Sequence, residues 1–170
     1  MPSRSHTRRM FLQAGLAFLA LSSTVKSAAL AAPVGIYDEQ ADAAADVAAA
    51  LETANAQGKL VLVVFGANWC PDCRALDGLA RDGKLKQVLD NHFIIVHVDV
   101  GRFNKNLDLA DKYVVNLKEG IPCAAVLAAN GAPAVADLVY GRAMERLMKG
   151  GNSTLAAYFD EVSSRFKPVR

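Results

Sequence analysis

Leu60-Val61-Leu62-Val63-Val64-Phe65-Gly66-Ala67-Asn68-Trp69-Cys70-Pro71-Asp72-Cys73 is the stretch whose reading decides the fold. The apolar run Leu60 to Phe65 reads as a strand, and a helix is expected to begin near Pro71. Proline suits the first helical turn, because its missing N–H has no partner there and its φ is already helical. Cys70 and Cys73 then lie three apart at a helix start, where one turn brings their side chains together. A disulfide can open and close there without large backbone motion. The unpaired amides and the dipole of the helix N-terminus favour a thiolate at Cys70. Strand, short loop, Trp-Cys-x-x-Cys and helix together describe a redox site. A permanent disulfide staple and half of a zinc site are the other readings of such a pair. A zinc site of the usual kind needs a second Cys or His pair, whereas here the remaining cysteine is Cys123 and His6, His92 and His97 are unpaired in sequence.

Trp69-Cys70-Pro71-Asp72-Cys73 resembles the active-site signature of the thioredoxin superfamily. The resemblance implies thiol–disulfide exchange, with Cys70 attacking a substrate disulfide and Cys73 resolving the mixed disulfide. It also implies a redox-active Cys70–Cys73 disulfide and no other cofactor. Lys118-Glu119-Gly120-Ile121-Pro122-Cys123 resembles the Gly-Ile-Pro segment of such proteins, whose proline is cis and lies beside the two cysteines. That role falls to Pro122, with Ile121 offering backbone groups to an extended substrate segment. Trp69, Pro71 and Asp72 complete the expected substrate-contacting set. On local sequence alone Pro122 is only a strand-opening proline.

Residues 1–31 carry Arg4, Arg8, Arg9 and Lys26 and no acid. Thr7-Arg8-Arg9-Met10-Phe11-Leu12 resembles the twin-arginine export motif. The apolar stretch Met10 to Leu21 is shorter than the about 20 residues that span a membrane, and it suits a signal-peptide core. Ala29-Leu30-Ala31 is a small-x-small site, so cleavage is expected after Ala31. An ordinary secretory signal is the alternative. Either way the chain is read as exported, to the periplasm of a bacterium, and no cysteine near the cleavage site supports a lipid anchor.

The whole chain has 19 basic and 17 acidic residues, a net charge of +2. Without the leader's four basic residues, 15 face 17 and the balance becomes −2. The remaining bases form no stripe and alternate with no aromatics, so nucleic-acid binding is unsupported. Residues 32–170 fit one domain.

Within that domain the first helix is expected from Glu39 to Gln57, capped by Asp38, with Ala44, Val47, Leu51 and Ala54 as its apolar stripe and Gly58 as its stop. After the motif the helix continues through Ala80 with a bend or break near Gly78 or Gly83, and a second piece spans Lys84 to Asn91. Phe93 to Asp99, apolar at nearly every position, reads as a central strand covered on both faces, with His97 partly buried and hydrogen-bonded rather than catalytic. Leu107 to Val114 is a short helix. Cys123 to Ala128 is a strand, Asn130-Gly131 a hairpin turn, Pro133 to Tyr140 the returning strand, and a helix capped by Ser153 runs to Phe166. The order gives an α/β thioredoxin fold, a central mixed sheet with helices on both faces.

Two departures from the family bear on mechanism. Where many thioredoxins bury an aspartate six residues before the first cysteine, this chain has Val64, so the sequence names no group to handle the Cys73 proton. Asp72 places a negative charge beside Cys70, which opposes the dipole and makes the dithiol a better reductant, an effect that Arg74 partly offsets. Cys123 reads as an inert core residue, or else as a third redox or metal-binding thiol. Two classes of function follow. The first is an exported reductase or isomerase of protein disulfides, served by an electron-donating and membrane-bound partner. The second is a copper-handling protein on the same fold.

Overall fold

The computed structural model describes residues 35–134 and 142–166. The expected leader and most of the expected returning strand, 135–140, lie outside the described residues. Helix α1 (Ala43–Gln57) begins four residues later than expected, because Asp42 rather than Asp38 accepts the Ala45 N–H at 3.0 Å and caps it. Asp38 instead closes the preceding turn, accepting from Gln40 N–H at 2.9 Å. The buried stripe is Ala43, Val47, Ala50 and Ala54, with Leu51 half-buried and Ala44 turned to solvent. Gly58 ends the helix at φ +64°, a conformation that costs glycine little.

Strand β1 (Leu60–Gly66) is buried at every position. Helix α2 (Pro71–Ala80) runs through Gly78 unbroken, and the break falls at Arg81-Asp82 before α3 (Gly83–His92). Strand β2 (Phe93–Asp99) pairs in parallel with β1, Leu60 opposite Phe93. Helix α4 (Leu107–Lys112) stops two residues short of the expected end, and Val114 takes a positive φ of 60°. Strand β3 (Cys123–Leu127) pairs antiparallel with β1, Phe65 opposite Cys123. Among the described residues the strand order is therefore β2-β1-β3, with β1 in the middle. This corrects the reading of Phe93 to Asp99 as the central strand: Ile95 on β2 is 37% exposed. An unbroken apolar run does not distinguish a middle strand from an outer one whose second face is only partly covered.

The turn at Asn130-Gly131 closes as expected, with Gly131 N–H on Ala128 O at 2.8 Å and Ala128 N–H on Ala132 O at 2.9 Å. The chain then bridges back from Pro133 to Leu127. Helix α5 (Arg142–Lys149) was not anticipated, and α6 (Gly151–Arg165) begins ahead of Ser153, which lies inside its first turn and does not cap it. The two faces of the sheet carry separate cores. On one, α1 and α4 cover Val61, Val63, Phe65, Val96 and Val98. On the other, α2, α3, α5 and α6 cover Leu60, Leu62 and Val64 through Leu76, Leu85, Met144 and Phe159. The result is the expected mixed α/β sheet with helices on both faces. It aims the C-terminal end of β1 at the loop that carries Trp69 and Cys70. None of the described helices is long and apolar enough to cross a membrane.

Candidate active site

Cys70 is the residue that caps α2. Its backbone is extended, and its Sγ accepts the Cys73 N–H at 3.2 Å. The Cys70 thiol also donates to Ile121 O at 3.6 Å. Both cysteines are buried and both are free thiols. Pro71 occupies the first helical turn, as its fixed φ favours, and Pro71 and Asp72 are exposed above the pair. The Ile121–Pro122 peptide is cis, and Pro122 is buried. The structure thus brings together Cys70, Cys73 and Ile121, from segments about 50 residues apart in sequence. Burial pushes the Cys73 thiol up to about 12, the hydrogen-bonded Cys70 thiol adds to this, and the Ala67 backbone and the Tyr37 hydroxyl oppose it.

Trp69 is 42% exposed, and its indole N–H donates to Gly101 O at 2.8 Å. Its ring meets Phe103 edge-on at 6.1 Å, and the Arg102 guanidinium lies 5.4 Å from its centre. An aromatic platform therefore flanks the cysteines, and the sequence indicated only one of its members. The loop beneath it is pinned by buried Asp99, whose carboxylate faces Lys105 Nζ at 3.3 Å. On the other side, Asp72, Gly120, Ile121 and Pro122 border a groove of about 480 Å³ closed by Met144 and Met148 of α5. Those methionines were missed because no motif links α5 to the cysteines.

Two further residues escaped the sequence reading. Tyr37 is fully buried and packs with Cys70 and Cys73. Asn68 clamps it: Tyr37 N–H donates to Asn68 Oδ1 at 3.0 Å, and Asn68 Nδ2 donates to Tyr37 O at 2.8 Å. Behind Cys73 lies a cavity of about 140 Å³ whose walls include Tyr37, Val64, Asp77 and His97. His97 is partly buried, as expected, and its ring meets that of Tyr37 edge-on at 5.4 Å.

Cys123 packs in the core on the α1 side of the sheet, apart from the cysteine pair, and its thiol donates to Gly120 O at 2.6 Å. Among the described residues no group of three or more His, Cys, Asp or Glu side chains is arranged to hold a metal ion.

The sequence matches the thioredoxin-like family profile over residues 42–129. A disulphide isomerase from Xylella fastidiosa Temecula1, known from its crystal structure, is 35% identical, with a TM-score of 0.69 over 78% of this chain and 99% of that one. A thioredoxin from Thermus thermophilus is 26% identical, with a TM-score of 0.44 over 59% of this chain and 78% of that one. No curated protein sequence matches.

Proposed function

The chain belongs to the thioredoxin-like family, and from that premise we propose that it is an exported thiol–disulfide oxidoreductase that reduces, or isomerises, disulfides of other proteins through Cys70 and Cys73. The carrying observation is the pair of free thiols at the start of α2, with the Cys73 N–H directed at Cys70 Sγ. An amide on that sulfur stabilises negative charge, as the nucleophile requires. Cys70 attacks one sulfur of the substrate disulfide and the other leaves as a thiol. Cys73 then attacks Cys70, forming the Cys70–Cys73 disulfide and releasing the second substrate thiol. Two electrons pass from the dithiol to the substrate. The substrate segment runs against the Ile121–Pro122 backbone and into the groove closed by Met144 and Met148.

The similarity to a protein described as a disulphide isomerase supports this class of reaction. Asp72, exposed beside Cys70, places negative charge next to the dithiol, which we read as favouring the reducing direction. A reductase leaves itself oxidised after each turnover. Outside the cytoplasm it therefore needs an electron donor, which we place in the membrane. Export itself rests on the leader Met1 to Ala31 and its Arg8-Arg9 pair.

The test is the reduction potential of the purified protein, equilibrated against thiol buffers, with Cys70→Ser as control. A potential near thioredoxin's about −270 mV, absent in the control, is expected. A value near the about −120 mV of a strong oxidant overturns the direction, making the protein a disulfide donor. Absence of a reversible couple overturns the oxidoreductase reading and puts copper binding first.

A further inference from the structure

Resting on that reading, we propose that Tyr37 is a catalytic hydrogen-bond donor to Cys73, holding the resolving sulfur as a thiolate at the moment it attacks Cys70. Val64 lines the cavity behind Cys73 with no polar side-chain atom to offer. Tyr37 enters that space from the segment preceding α1. A Cβ built on Gly66 would lie 2.2 Å from Tyr37 Oη and 2.9 Å from Cys73 Sγ, so hydroxyl and sulfur converge over the same bare α-carbon. Any side chain at residue 66 would displace one or both of them. Tyr37, Cys70 and Cys73 form one buried cluster, so the hydroxyl and the sulfur share the space over Gly66.

Tyr37 is suited to donating rather than accepting a proton. Burial, with the Cys73 and Cys70 sulfurs close by, holds its hydroxyl well above the ordinary phenol range, so it stays protonated. A hydrogen bond from that hydroxyl would pull Cys73 down against the burial that raises it. The clamp by Asn68 matters for the same reason: it fixes the Tyr37 backbone with two hydrogen bonds from the loop that carries Cys70. The donor is thereby in place before charge develops. In the step itself Cys73 S–H gives its proton to solvent and its sulfur bonds to Cys70 Sγ. The Cys70–substrate S–S bond breaks, and the leaving sulfur takes the electron pair and is protonated from water. Tyr37 keeps its own proton throughout. The other titratable or charged groups around this pair are Cys70, which caps α2, Asp77 on α2, Arg81 at the break that follows it, and His97 from β2.

Oxidation of the reduced full chain by dithiobis(nitrobenzoate) separates the two half-steps. Cys70 releases the first thionitrobenzoate, and attack by Cys73 on the resulting mixed disulfide releases the second. In Tyr37→Phe the second phase is expected to slow roughly 10- to 100-fold, the usual effect of losing one hydrogen bond to a charged group. Its pH midpoint is expected to rise, while the first phase changes far less. A second phase with wild-type rate and pH profile overturns the assignment. If Tyr37→Phe melts below the assay temperature, Asn68→Ala, which frees the Tyr37 segment without touching Cys73, carries the same test with the same two outcomes. A missing first phase in the wild-type protein would instead overturn the oxidoreductase reading.

Discussion

His97 shows how one side chain behind the site couples stability to pH. Burial holds its imidazole below the ordinary 6.5, with Asp77 opposing the shift and Arg81 adding to it. The folded-state value is lower than the unfolded one, so protonation opposes folding. The contribution of His97 is therefore fully present above the unfolded value and is lost as pH falls through the folded one. His97→Gln is expected to flatten the loss of melting temperature between about pH 7 and about pH 5, measured by thermal unfolding of both proteins. An unaltered pH slope would contradict it. At this scale the two cysteines were legible, because a short motif marks them, while Pro122 was legible only through the family resemblance. Tyr37 was not: nothing local connects it to a cysteine 36 residues later, and only the folded chain brings its hydroxyl to that sulfur.

Between elements, Asn152 holds three together. Its Oδ1 accepts Leu85 N–H at 3.1 Å, satisfying a first-turn amide of α3 that Asp82 leaves uncapped. Its Nδ2 donates to Leu79 O at 2.8 Å, near the end of α2, and to Asp82 O at 3.0 Å. One side chain from α6 thus satisfies both ends of the α2–α3 break. Asn152→Ala is expected to lower the unfolding free energy by about 2–3 kcal/mol, since it strands partly buried backbone groups. Urea denaturation measures this, and a loss below about 0.5 kcal/mol, the range of an ordinary surface substitution, would refute it. The helices themselves were readable from periodicity, yet their starts were not. Asp38 and Asp42 are both competent caps, and Ser153 looks like one. Which residue caps is decided by how the helix packs on its neighbours rather than by propensity.

On the scale of the whole molecule, the proposed export and reduction require that the chain reach its compartment and meet an electron source there. The leader's role is tested by replacing Arg8 and Arg9 together with lysine. A twin-arginine route predicts uncleaved precursor retained in the cytoplasm on cell fractionation. Continued export and cleavage near Ala31 would mark an ordinary secretory signal instead. The thioredoxin-like architecture explains why so small a domain supports this chemistry: the middle strand ends at the cysteine loop, and helices seal both faces behind it.

The sequence alone determined the fold class and the placing of two cysteines one turn apart at a helix start. These rest on short-range rules: an apolar run that becomes a strand, a proline and a cysteine that start a helix, and a spacing of three that closes one turn. Only the tertiary structure decided the strand order, the aromatic platform of Trp69 and Phe103, the α5 wall of the groove, and the Tyr37–Cys73 contact. Each of those depends on which surfaces meet when two faces of a sheet are covered at once. That is a long-range packing outcome, which no window of neighbouring residues contains.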